Sequence, residues 1–134
     1  MREIKFRAWD KYNKYIINWD GFLKYPYWGI ELLEQKKYMV ATVDGPINEQ
    51  RWFVMQYTGL KDKNGVDIYE GDIINLGENG HAEPIEVMFV EGCFSIISTW
   101  DHPRPIPLKE YCNDVFIGTV EVIGNIYENK DLLK

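Results

Sequence analysis

Four carboxylates, Asp62, Asp67, Glu70 and Asp72, crowd one short stretch of this chain, and two chemistries use such a grouping. The first is cation binding. Asp62-Lys63-Asn64-Gly65 echoes the start of an EF-hand loop, which needs its glycine at the sixth position and a bidentate Glu at the twelfth. Here Gly65 stands fourth and Ile73 twelfth, so the spacing fails. A turn is the better reading. Asp62 and Asn64 support it, and Asp72 bonds nearby backbone amides where the next strand begins. The second chemistry is hydrolysis by paired carboxylates. Glu70 and Asp72, at i and i+2 of a strand, point to one face. No nucleophile, companion base or phosphate-binding loop accompanies them, which leaves a hydrolase as a second alternative. His81, Cys93, His102 and Cys112 are the residues that could converge on zinc. They lack the close Cys-x-x-Cys type of pair that announces a structural site, and Cys93 reads as a small apolar residue of a strand. No nucleophile elbow, His-Glu-x-x-His, P-loop or dinucleotide fingerprint is present. The expectation is a non-enzymatic protein with no catalytic residue, no metal and no cofactor.

A second constellation suits binding. Arg2, Lys5, Arg7, Lys11 and Lys14 interleave with Trp9, Tyr12, Tyr15 and Trp19. Single-stranded nucleic-acid binders combine cationic grooves with aromatic stacking platforms. Arg2, Lys5, Arg7, Trp9, Lys11, Tyr12 and Lys14 would make the contacts in that alternative. In the plainer reading Lys5 and Arg7 form the wet face of a strand and the rings pack inward. The formal net charge of −6 disfavours nonspecific duplex binding. It is unevenly spread: residues 1–25 carry +3, which leaves −9 for the remainder. Such asymmetry can guide subunits together or form a local basic patch. The prolines of Pro103-Arg104-Pro105-Ile106-Pro107 lack Pro-x-x-Pro spacing, so this segment reads as a rigid connector and not as a polyproline ligand.

The elements that must position these residues follow from composition and periodicity. A chain of 134 residues fits one domain that buries roughly two-thirds of its unfolded surface. Hydrophobic residues make up 46%, and aromatics 15%, with nine Tyr, six Phe and five Trp. Rings fit pleated surfaces, so the class prior tips toward β. The start of the chain lacks an apolar signal-peptide core, and no apolar run approaches the roughly twenty residues of a membrane helix. A cytosolic protein, with both thiols reduced and no membrane partner, is expected.

Ile4, Phe6 and Ala8 alternate with Lys5, Arg7 and Trp9 as in a half-buried strand. Asp10–Lys14 is turn-like, Tyr15–Trp19 reads as the returning strand, and Asp20-Gly21 breaks it. Gly29–Met39 suits a short helix. Arg51–Tyr57 is apolar on both faces and reads as a central strand. Asn64-Gly65 supplies the positive φ angles of a tight turn, followed by a strand over Ile68–Leu76 interrupted at Gly71. Ile85–Val90, Glu91-Gly92 and Cys93–Thr99 read as a hairpin. Asp101–Pro107 must be extended and cannot be a central strand. Leu108–Asn113 suits one helical turn, Val115–Val122 and Ile123–Tyr127 are β-prone with Gly118 and Gly124 permitting bends, and Asn129 suits the cap of a terminal turn.

The expected fold is therefore mainly β, a β-rich α+β arrangement. Its C-terminal half is a small SH3-like barrel, and its N-terminal half consists of β-hairpins with one short helix. It is a single domain over 1–134, with subdomains 1–50 and 51–134. Three blocks carry a family likeness: Arg2–Asp10, Gln56–Ile74 and Ile123–Asn129. They bracket nearly the whole chain, which by them resembles the YopX family of phage and prophage proteins. The resemblance brings no catalytic residue with it. It implies a bacterial host harbouring a phage genome. The leading reading is an accessory protein that acts through contacts with a phage or host protein and through self-association as a homo-oligomer. The aromatic surplus favours the oligomer, because rings left over from a small core tend to lie in interfaces.

Overall fold

A computed structural model describes residues 3–24, 52–77, 83–98, 104–110 and 120–133. The chain divides into two compact units, Glu3–Gln56 and, for the rest, Tyr57–Lys134. The described residues are mainly β, as the aromatic composition predicts.

In the first unit, β1 (Phe6–Asp10) turns back through Asp10–Lys14 into β2 (Tyr15–Ile17). On its other side β1 pairs with the first half of β3 (Trp52–Lys61), in the register Phe6↔Gln56 to Asp10↔Trp52. Ala8 and Trp9, which face opposite ways, are both buried, so the expected half-buried alternation gives way to burial on both faces. Ala8, Trp52 and Val54 form the small core, with Phe6, Ile17 and Trp19 packed against it.

The returning strand is shorter than expected. β2 stops at Ile17, and α1 (Trp19–Lys24) runs through Asp20-Gly21, which therefore does not act as a break. The cause is Asn18, whose Oδ1 accepts the Gly21 amide at 2.9 Å in the manner of an N-cap. The helix expected over Gly29–Met39 lies outside the described residues.

In the second unit β3 continues past Tyr57 and pairs with β4 (Asp67–Tyr69). β5 (Asp72–Leu76) lies between β6 (Glu83–Glu86) and β10 (Val120–Asn125), and β8 (Cys93–Ser98) lies between β7 (Met88–Val90) and β9 (Arg104–Pro107). The run Ile85–Val90 is split at Val87. There the chain leaves β5 as a partner and takes up β8. Val87 fixes this corner with its own backbone, its N–H on the Asp72 carbonyl and its carbonyl on the Gly71 N–H, both at 2.8 Å. Among the described residues β9 lies at the edge of its sheet, as the alternate prolines require. The β5–β10 register shifts between Val122 and Gly124, where a side chain on Gly124 would meet Asn129 Oδ1 at 2.5 Å. Asn129 turns that oxygen toward the Asn125 amide, at 3.2 Å, and does not use it to cap the terminal 3-10 turn Lys130–Leu133. Ile68, Ile74, Val87, Ile96, Leu108 and Val120 form the core of this unit. The helical turn expected from Leu108 is a 3-10 turn at Leu108–Glu110.

Candidate functional site

Two of the carboxylates that could do chemistry, Asp62 and Asp72, are taken up by the main chain. Asp62 is buried. Its Oδ1 accepts the Asn64 and Val66 amides at 2.8 and 2.9 Å, and its Oδ2 accepts the Val122 amide at 3.0 Å. The Gly65 N–H donates to the Asp62 carbonyl at 3.0 Å, so the loop is a type I turn closed by a left-handed glycine. Only Gly65 takes a positive φ, of 78°; Asn64 does not share it. Asp72, also buried, accepts the Tyr69 amide at 2.8 Å across the turn that contains half-buried Glu70. Asp67 pairs with Lys61. Asp10 plays the same part in the first unit. Fully buried, it accepts the Tyr12 and Asn13 amides at 3.0 and 3.2 Å and the Asn13 side chain at 2.9 Å. The sequence reading missed Asp10, although an Asp at the head of a polar five-residue turn is a signal for this geometry. Among the described residues, no three His, Cys, Asp or Glu side chains converge as metal ligands. Of the four residues considered for zinc, only Cys93 lies within the described residues.

The basic and aromatic residues of the N-terminus are dispersed by the same fold. Arg2 lies outside the described residues. Lys5 Nζ stands 3.6 Å from Glu3 Oε1, with most of its side chain covered. Arg7 is half-buried, its Nη2 3.6 Å from Met55 Sδ. Trp9 is buried and has no open face on which a base could stack. Lys11 is half-buried, whereas Tyr12, Lys14 and Tyr15 are exposed at the hairpin tip.

A different feature is built for contact. The β7–β8 hairpin closes in two residues, Glu91 and Gly92, with φ of 52° and 81°. Both angles are positive, as in the turn whose twist matches paired strands. This register sets Phe89 opposite Phe94, ring centroids 5.1 Å apart and edge to face. Phe89 is 56% exposed. The pair forms one wall of a groove of about 300 Å3, lined further by Thr58, Leu60, Cys93 and Pro107, with Lys109 adding a cation. The Thr58 hydroxyl is engaged, donating to the Ile68 carbonyl at 2.7 Å and accepting the Leu60 amide at 3.2 Å. Cys93 Sγ and Ser95 Oγ lie 3.1 Å apart. With its polar groups occupied internally, the groove offers aromatic and aliphatic surface to a partner side chain. No sequence signal marks it, because its walls come from distant strands.

The described residues contain no helix long and apolar enough to cross a membrane. No curated protein matches the sequence. Among solved structures, the crystal structure of protein EF1440 from Enterococcus faecalis is similar over 100% of both chains, at 23% identity and a TM-score of 0.62. The crystal structure of protein yopX from Bacillus subtilis is 26% identical, covers 66% of this chain and 64% of its own, and has a TM-score of 0.45. The family model described as YopX protein matches residues 5–134. A match of that extent, in keeping with the three sequence blocks, means that the chain belongs to the YopX protein family.

Proposed function

We propose that this chain is a non-enzymatic accessory protein of phage or prophage origin that acts in the bacterial cytoplasm through protein contacts, and that a second copy of itself docks at the groove of the β7–β8 hairpin. The observation that carries this reading is Phe89, a large apolar ring more than half exposed beside an apolar groove. Apolar surface of this kind marks interaction sites. A second copy is the occupant because the chain carries complementary charge and matching rings. The 1–25 segment is net positive and the remainder strongly negative. Exposed Lys14 stands between exposed Tyr12 and Tyr15 on one hairpin tip, and exposed Glu91 stands beside Phe89 on the other. Opposite charges fix the register of such a contact while the rings supply its apolar area. The engagement of Asp62 and Asp72 by backbone amides supports the non-enzymatic part, since both carboxylates are committed to main-chain donors.

Size-exclusion chromatography with light scattering tests the assignment. The unmodified chain should associate at high micromolar concentration, and Phe89→Asp should return it to monomer with its circular dichroism unchanged. A clean monomer of the unmodified chain at that concentration overturns the reading.

A further inference from the structure

The turn at Asn64-Gly65 brings together the parts of a reaction. Both residues are exposed. Among the described residues Asn64 is hydrogen-bonded through its main-chain N–H, to Asp62 Oδ1, and its side-chain amide has no partner. Gly65 follows it with a φ of 78°, and nothing lies within 4 Å of where a Cβ would stand. Gly65 therefore brings no side chain into the way of the attack, and glycine's backbone reaches conformations closed to other residues. Asparagine is among the thermally labile side chains.

We propose that Asn64-Gly65 is a self-modification site, at which Asn64 converts to aspartate and isoaspartate with water as the co-reactant, and that the conversion releases the turn from β10. The Gly65 main-chain nitrogen attacks Asn64 Cγ. The new N–Cγ bond forms as the Cγ–Nδ2 bond breaks, and the side-chain nitrogen leaves as ammonia with the proton given up by the Gly65 amide. One water then opens the resulting succinimide. Attack at Cγ leaves aspartate, and attack at the main-chain carbonyl carbon leaves isoaspartate, with the chain rerouted through the side chain. Ammonia is exchanged for water and nothing is oxidised or reduced.

Asp62 governs both the rate and the consequence. The Gly65 N–H is held on the Asp62 carbonyl at 3.0 Å, and Asp62 Oδ1 fixes the amides on either side of Gly65, so the turn must open before the nitrogen can attack. The same residue and its neighbour strap the turn to β10. Asp62 Oδ2 accepts the Val122 amide, and the Lys63 N–H donates to the Val120 carbonyl at 3.0 Å. Isoaspartate adds a methylene to the main chain inside this loop, and either product places a second carboxylate close to Asp62. Lengthened chain and like-charge repulsion both work against the straps.

Peptide mapping of the full-length chain aged in neutral buffer, with isoaspartyl methyltransferase labelling, reads the conversion. It should proceed at Asn64 severalfold faster than at Asn13, Asn18 or Asn125, each followed by a residue with a side chain. Asp62→Asn should speed it further. Should that variant not fold, sub-denaturing urea on the unmodified chain opens the turn instead, and a rate that fails to rise overturns the role given to Asp62. Amide hydrogen exchange at Lys63 and Val122 should quicken in the aged protein. Asn64 left intact over a period in which the same sequence converts as a free peptide overturns the site. Conversion with unchanged protection at Lys63 and Val122 overturns the release.

Discussion

The β3–β4 and β7–β8 hairpins reverse the chain by different means. The first gathers its amides onto one buried carboxylate, Asp62, and needs a positive φ only at Gly65. The second relies on the backbone alone, with positive φ at both Glu91 and Gly92 and no side-chain hydrogen bond across the two-residue turn among the described residues. A turn held by a side chain concentrates its stability in one residue and reaches out to a third strand, here β10. A turn held by dihedral angles leaves its side chains uncommitted. That is why Glu91 and Phe89 can face outward at the β7–β8 tip while Asp62 cannot be used for anything but structure.

The largest effect should come from breaking the first turn. Asp62→Ala leaves the Asn64, Val66 and Val122 amides without their acceptor and should cost about 3 kcal/mol in a urea titration. A loss as small as that of an ordinary surface substitution would remove the distinction drawn between the turns. Gly92→Ala places a Cβ at a φ of 81° with open space around it. It should cost about 1 kcal/mol, the strain of a left-handed residue without any clash.

The smallest effect lies just ahead of the Val87 corner that leads into β7. Burial pushes the Glu86 carboxyl above the usual carboxylate range, and Lys130 pulls it partly back. The folded state then binds this proton more tightly than the unfolded chain. The contribution to stability is complete below the unfolded pKa of about 4.3 and is lost as pH rises through the raised folded value. Glu86→Gln should flatten that part of the stability–pH curve and leave a slight gain at neutral pH. A curve unchanged in shape would show that Glu86 is not responsible.

What could be read in advance was local. Glu91-Gly92 between two β-prone runs is a turn with its own chemistry, and the β7–β8 hairpin stands where expected. Alternate prolines exclude a central strand for an equally local reason, and among the described residues β9 lies at the edge of its sheet, paired with β8 where the sequence suggests only a rigid connector. Asp62 and Asp72 were expected to serve turns and backbone amides, and they do. What could not be read depends on partners far along the chain. β1 acquires β3 as a second neighbour, a partner that no window around Trp9 contains. The split at Val87 depends on Gly71 and Asp72. The groove draws Thr58, Phe89 and Pro107 from three separate strands, so its apolar character belongs to no segment of sequence. Asn18 is the exception. Its type and place suit a helix cap, yet the alternation of its neighbours assigns it to the returning strand.

The prolines of β9 carry a consequence for how far any assembly could grow. Neither Pro105 nor Pro107 has an N–H to give. Prolines two apart on an edge strand turn the same way, with the side that lacks donors facing away from the ladder, so an incoming strand finds no donor at either position. Sheets that extend strand upon strand into fibrils need an unbroken row of such donors. On this side the β7-β8-β9 sheet resists that fate, and the many aromatic residues of the chain are kept from feeding an open-ended polymer through that border.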